Sequence, residues 1–145
     1  MTRASDPYDL QRFVDAQDPV IADVKAELRA GRKRTHWMWF VFPQLEGLGR
    51  SRRAKRYGIA SRGEAEAYLA HETLGPRLRE CTRIVNDVED RTAREILGSP
   101  DDLKFRSSTT LFAAVADDPD PFETALEKYY DGDPDPNTLE LLDGA

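Results

Sequence analysis

The sequence predicts an all-α fold, a single compact domain of about seven or eight short helices. Three observations predict it. Caps and prolines that open helices recur along the chain. Apolar residues between them recur at helical spacing. No segment sustains the alternation of a half-buried strand, and no Asn-Gly or Asp-Gly turn sits between β-branched runs.

Taken in order, Ser5-Asp6-Pro7 places a cap ahead of a proline and predicts a helix through about Ala16. Asp18-Pro19 repeats the device, with Val20, Val24 and Leu28 as the inner stripe and Gly31 as the stop. Trp37 to Phe42 is a run of six apolar residues that fits a strand or a buried helix equally. Ser51 and Gly58 read as the N-cap and C-cap of one short basic helix. Ser61 with Glu64 reads as a capping box for a helix through Tyr68 and Leu69, with His71 just beyond its C-terminus. Pro76 starts a helix whose Leu78, Cys81, Ile84, Val85 and Val88 share one face. Thr92 with Glu95 is a second capping box, for a helix ended by Gly98. Ser99-Pro100-Asp101-Asp102 opens a long helix, Asp120-Pro121 opens the next, which ends near Gly132, and Asn137 caps a last turn. Leu78, Cys81, Ile84, Val85, Leu111 and Phe112 are the expected core.

At 145 residues the chain suits one domain, able to bury roughly 68–70% of its unfolded surface. Residues 1–145 read as that domain, with 131–145 an acidic C-terminal segment expected to be partly mobile. No apolar run is longer than Trp37–Phe42, far short of the roughly 20 residues that span a bilayer. The N-terminus lacks a signal-peptide core, and one cysteine excludes an internal disulfide, so the expected location is the cytoplasm. No membrane association is expected. Two histidines and one cysteine, widely spaced, match no zinc pattern, and neither metal nor cofactor is expected. No Gly-x-Ser-x-Gly elbow supports a hydrolase triad.

The charge is segregated. Arg29 to Arg56 holds nine Lys/Arg and one acid, net +8, whereas Val115 to Ala145 holds ten acids and one lysine, net −9, in a protein of net −6. The remainder outside the basic segment, −14, would repel a long phosphate backbone, so nucleic acid is not the expected partner. The acidic region reads either as a solvated tail or as a cover over the basic segment.

Both tryptophans and two of the six phenylalanines fall within Trp37–Phe42, inside the basic segment. An aromatic block rimmed by cations suits a pocket for a flat, negatively charged ligand, and packing of a core is the competing explanation. At helical spacing Trp37 and Phe40 share a face and Trp39 lies on another. His36 and Gln44 flank the block, His36 as a candidate proton acceptor and Gln44 as donor and acceptor. Gly47-Leu48-Gly49-Arg50-Ser51, leading into the basic helix, offers a weak anion site at a helix N-terminus and fits neither phosphate-loop nor dinucleotide pattern. Ser107-Ser108-Thr109-Thr110 puts four poor helix formers in mid-helix. Lys104, Ser107 and Ser108 at i, i+3 and i+4 give an ammonium beside two hydroxyls, able to bind phosphate or carboxylate or to activate a serine. Close helix packing explains the same small residues. Cys81, on an apolar stripe, reads as an inert buried thiol.

Several of these stretches together resemble a bacterial family of domains of unknown function, family 1810, often mislabelled calpastatin. They are His36 to Gln44, Gly47-Leu48-Gly49, Tyr57-Gly58-Ile59, Glu66 to His71, Leu74-Gly75-Pro76-Arg77-Leu78, Leu103-Lys104, Arg106-Ser107-Ser108 and Thr110-Leu111-Phe112. The resemblance covers roughly residues 5 to 130 and implies a mainly helical single domain. It implies no activity. Calpain inhibitors are disordered repeats, unlike a chain punctuated in this way.

Two function classes follow. One is an enzyme or binding protein for a small phosphorylated or nucleotide-like molecule, ADP-ribose among them. The helical hydrolases of ADP-ribose N-glycosides offer an analogy of fold class and pocket chemistry only. His36, Lys104 and Ser107 are then the catalytic candidates, and Trp37, Trp39, Gln44, Arg50 and Ser108 the ligand-binding ones. The alternative is a protein-interaction module without catalysis. Motif residues lining one hollow favour the first, and an exposed flat aromatic patch favours the second.

Overall fold

The structure, a computed structural model, describes residues 6–48 and 51–144. Within them the elements are α1 (Gln11–Gln17), α2 (Ile21–Arg29), α3 (Met38–Val41), α4 (Arg52–Arg56), α5 (Arg62–Ala70), α6 (Leu74–Asp87), α7 (Ala93–Leu97), α8 (Asp101–Val115), α9 (Phe122–Tyr130) and α10 (Pro136–Gly144). Seven of the ten are seven residues or longer, and α3, α4 and α7 are short turns of helix. The one extended pairing among the described residues is a parallel bridge between Leu45 and Ile59. The fold is all-α and single-domain. No helix among the described residues is long and apolar enough to cross a membrane.

Much of the punctuation acts as its chemistry requires. Thr92 and Glu95 form a complete capping box, with the Thr92 hydroxyl accepting from Glu95 N at 3.1 Å and the Glu95 carboxylate from Thr92 N at 2.8 Å. Ser51 accepts from Ala54 N at 3.0 Å and Ser61 from Glu64 N at 3.1 Å. Gly31 and Gly98, at φ +75° and +83°, end α2 and α7 in the left-handed region that glycine enters freely.

Other boundaries shift for identifiable reasons. The first helix begins at Gln11 because Asp9 turns to φ +52°, and Asp6 instead caps across that turn. Its two carboxylate oxygens accept from Leu10 N at 2.8 Å and Gln11 N at 3.0 Å; Ser5 lies outside the described residues. Asp18 ends α1 rather than capping α2, and its side chain pairs with Arg77 at 2.8 Å. α6 starts two residues ahead of Pro76 because His71 Nδ1 accepts from Thr73 N and Leu74 N, at 3.1 and 3.2 Å. His71 thus ends α5, its N–H donating to Tyr68 O at 3.2 Å, while its ring caps the next helix. Asp135, not Asn137, caps α10, taking Thr138 N and the Thr138 hydroxyl. Gly58 is no left-handed cap either. A Cβ there would lie 3.0 Å from both Ala54 O and Glu46 Cα, so glycine is what lets the Leu45–Ile59 bridge close.

α8 runs through the middle, packed against α5, α7, α9 and α10, while α6 packs against α2, α5 and α9. This explains the four hydroxyl residues of α8, all of which are buried. Thr109 returns its hydroxyl to Phe105 O at 2.9 Å, and Ser107 contacts Leu103 O at 3.2 Å, the back-bonding that makes such residues tolerable in a helix. Thr110 instead accepts Asp135 N at 2.9 Å, and Ser107 meets Asp135 Oδ2 at 3.1 Å, which docks α10 onto α8. Of the expected core, Leu78, Cys81, Val85, Leu111 and Phe112 are buried, and Ile84 packs half-buried at the edge.

Cys81 has no exposed surface, and burial pushes its thiol up to about 12. With so little thiolate at neutral pH it is expected to ignore thiol reagents in the native protein and to label rapidly in denaturant. Rapid stoichiometric labelling of native protein would show the packing around α6 to be looser than described.

Candidate functional site

The aromatic block folds as α3, a single turn held from two sides. Glu27 on α2 gathers the preceding loop: its carboxylate accepts from Arg34 N at 2.7 Å, Thr35 N at 3.0 Å, the Thr35 hydroxyl at 2.7 Å and Trp37 Nε1 at 3.0 Å. Burial raises the Glu27 pKa, but these donors outweigh it and hold the carboxyl below the usual carboxylate range. From α1, the buried Gln17 amide donates to Phe40 O at 2.6 Å. So pinned, α3 turns Trp37, Met38, Val41 and Phe42 into the core, where Phe42 meets Phe105 edge-on at 4.9 Å. Trp39 is left on the outward side, half-buried.

Two cations cover Trp39. Lys104 Nζ of α8 and the Arg53 guanidinium of α4 each lie 5.0 Å from its ring centroid. They are therefore at most 10 Å apart, about a Debye length at 0.1 M ionic strength, and repel each other. Asp101 meets Lys104 only at 3.7 Å and is shared with Lys33, which it holds at 3.0 Å. Lys33 in turn lies 5.1 Å over Trp37. Lys33 and Lys104 thus share one acid, Arg53 pairs with none among the described residues, and the corner keeps a positive surplus.

Trp39, Gln44, Tyr57 and Lys104 line a small cavity beneath α4. Gln44 and Lys104 also line the adjoining open cleft of about 510 Å³, whose walls include Leu48, Leu103, Arg106, Ser107, Asp135 and Asn137. The Gln44 carbonyl takes Ile59 N at 2.9 Å in the bridge, which fixes its position at the junction of the two hollows.

Four of the sequence-derived candidates, Trp39, Gln44, Lys104 and Ser107, therefore meet in one region although up to 68 residues separate them. The others do not join them. His36 is exposed and lines neither hollow. Trp37 is 1% exposed with its N–H committed to Glu27, which makes it a core residue that lines neither hollow. Ser108 is buried within α8 and also lines neither hollow. Arg50 lies outside the described residues. Ser107 reaches the cleft, but its hydroxyl is shared between Leu103 O and Asp135, which makes it a fastener of α10 and a poor nucleophile. Sequence carries no signal for Arg53 or for Asp101 at this site: no periodicity connects Arg53 to Trp39, and Asp101 reads only as a helix opener.

The acidic C-terminal region borders the cleft through Asp135 and Asn137. Its ion pair among the described residues is with Arg106, whose guanidinium lies 3.6 Å from Asp133 Oδ2 and donates to Asp133 O and Pro134 O at 3.0 and 3.1 Å. The exposed cations of α4 have no carboxylate partner among the described residues.

Over residues 7–142 the chain matches a family described as a protein of unknown function, DUF1810. No curated protein matches it. It is similar, at 60% identity and a TM-score of 0.94, to the crystal structure of the conserved hypothetical protein Rv1873 from Mycobacterium tuberculosis, over 95% of this chain and 99% of that one. The motifs that frame the hollow lie within the matched span, and the chain belongs to the DUF1810 family of unknown function.

Proposed function

We propose that the protein binds a small anionic molecule, phosphorylated or nucleotide-like, in the hollow lined by Trp39, Gln44 and Lys104, with Arg53 over the Trp39 ring. The observation that carries this is the pair of cations, each 5.0 Å from the Trp39 ring centroid, of which Lys104 also lines the open cleft. An anion seated there relieves their mutual repulsion and gains charge-assisted hydrogen bonds. Gln44 supplies a neutral donor and acceptor for orientation. The cleft beyond, with Leu48 and Leu103 on its walls, gives the body of the ligand an apolar surface. An ADP-ribose-like molecule belongs to this class. The engagement of the Ser107 hydroxyl and the exposure of His36 favour binding over nucleophilic catalysis by either residue.

A thermal-shift panel of nucleotides, sugar phosphates and dinucleotides tests the proposal. A ligand at about a hundred times its Kd adds about 2.7 kcal/mol, worth about 5–10 °C in a domain of this size. Lys104→Ala, losing one contact of about 1.5 kcal/mol, is expected to weaken binding about tenfold, and added salt should weaken it further. No shift from any compound at millimolar concentration would count against a ligand site. Leu103, 57% exposed, and Leu141, 41% exposed, would then favour a protein-interaction surface instead.

A further inference from the structure

The two tryptophans end differently. Trp37 Nε1 donates to Glu27, whereas Trp39 Nε1 is buried and has no acceptor. Four buried side-chain polar atoms among the described residues lack a partner: Trp39 Nε1, Asn86 Oδ1, Asp102 Oδ1 and Ser108 Oγ. Of these only the indole N–H is a donor that can never accept. The cavity Trp39 lines has a volume of about 10 Å³, room for a single oxygen-sized atom.

We propose that the Trp39 indole N–H is a specificity-determining contact of the ligand site, donating to one oxygen of an oxyanion whose charge Lys104 and Arg53 neutralise. This rests on the ligand-binding reading above and narrows it. An obligate donor beside two cations favours an acceptor that carries negative charge, which a phosphate or a carboxylate supplies and a neutral nucleoside or an amine does not. The same two cations cover the indole ring, so a base stacking on Trp39 would have to displace one of them. The anionic end of the ligand therefore belongs at Trp39 and its apolar or flat body in the adjoining cleft beside Leu103. Asp101 is the carboxylate that competes for Lys104, and at 3.7 Å it competes weakly.

The protein holds two tryptophans, so ¹⁵N-labelled full-length protein gives two indole N–H signals. Trp39→Phe identifies one of them; if that variant does not fold, through-space contacts from the indole ring to the Lys104 side chain, whose Nζ lies 5.0 Å from the ring centroid, identify it instead. Pyrophosphate, succinate and adenosine are titrated in turn at constant ionic strength. Saturable movement of the Trp39 indole signal by pyrophosphate or succinate, with the Trp37 signal still and adenosine inert, is expected. Which of the two anions acts separates a phosphate site from a carboxylate site. Lys104→Ala should raise the apparent Kd about tenfold. If an anion stabilises the protein in a Lys104-dependent way but leaves the Trp39 signal still, this inference fails and the ligand site stands. If adenosine moves the signal and neither anion does, the site is a stacking platform and the inference is wrong. If no probe moves the signal or raises the melting temperature, both proposals fall together.

Discussion

Arg12→Ala is expected to cost about 3–5 kcal/mol, a large share of the stability of a domain this size. All five guanidinium N–H groups of Arg12 are used. Nε donates to Arg56 O at 2.8 Å, Nη1 to Tyr8 O and to Asp9 O, and Nη2 to Gly58 O at 3.1 Å and Glu64 Oε2 at 2.8 Å. One side chain thereby ties the turn before α1, the end of α4 and the start of α5. Its removal leaves Glu64, whose side chain is 4% exposed, as a buried charge without its cation, and that stranded charge is the main cost. In urea, with a slope of about 2 kcal/mol/M, the midpoint should fall by about 2 M. Arg12→Lys should recover little, since a single ammonium cannot reach acceptors spread over that fork. In a double-mutant cycle Glu64→Gln should recover part of the Arg12→Ala loss, because it removes the stranded charge. An unchanged midpoint for Arg12→Ala would mean that the ion pair and the α1–α5 junction do not support the fold.

The contrast between Arg12 and the capping boxes marks what can be read from a sequence. Thr92 and Glu95 lie three residues apart, and the helix itself brings their groups together, so residue type and spacing suffice. The partners of Arg12 lie up to 52 residues away and most are backbone carbonyls, which carry no residue-type signal. His71 is intermediate: its place at the end of α5 is legible, but histidine is an unusual N-capping residue, so its second role at the start of α6 carries no residue-type signal.

The candidate site divides in the same way. That Trp37 and Trp39 point in different directions follows from two residues of helix, about 200° apart. Which one faces the core depends on Glu27, ten residues upstream, capturing the Trp37 indole. Lys104 and Ser107 read as one face of a helix, and both do line the cleft. Ser108 drew the same inference from its spacing and is buried, because α8 is enclosed by four other helices and its hydroxyl face serves packing as well as the site. The meeting of Arg53 with Lys104 over one indole is purely tertiary, and it is the observation on which the proposed function depends.

Gly75→Ala pits two rules against each other, and the distance decides. Inside a helix, alanine is favoured over glycine by about 1 kcal/mol, and Gly75 lies in the first turn of α6. A Cβ at this position, however, would sit 2.1 Å from Leu69 O and 3.0 Å from Leu69 C. The obstacle is main chain, so no rotamer change relieves it; the end of α5 and the start of α6 have to move apart. That motion would loosen the buried Tyr68, Leu74 and Leu78 around the junction. Overpacking of this kind costs about 3 kcal/mol, the upper end of its usual range, and outweighs the propensity gain. A net loss of about 2 kcal/mol or more follows, which lowers the melting temperature by about 4–8 °C. Gly98→Ala is the contrasting case: no atom lies within 4 Å of its Cβ, but at φ +83°, ψ 172° it holds a backbone conformation essentially confined to glycine, so its cost of about 1–3 kcal/mol is backbone strain alone. If Gly75→Ala melted at or above the parent temperature, the close approach of α6 to the Leu69 carbonyl would be wrong, and helix propensity alone would govern the position.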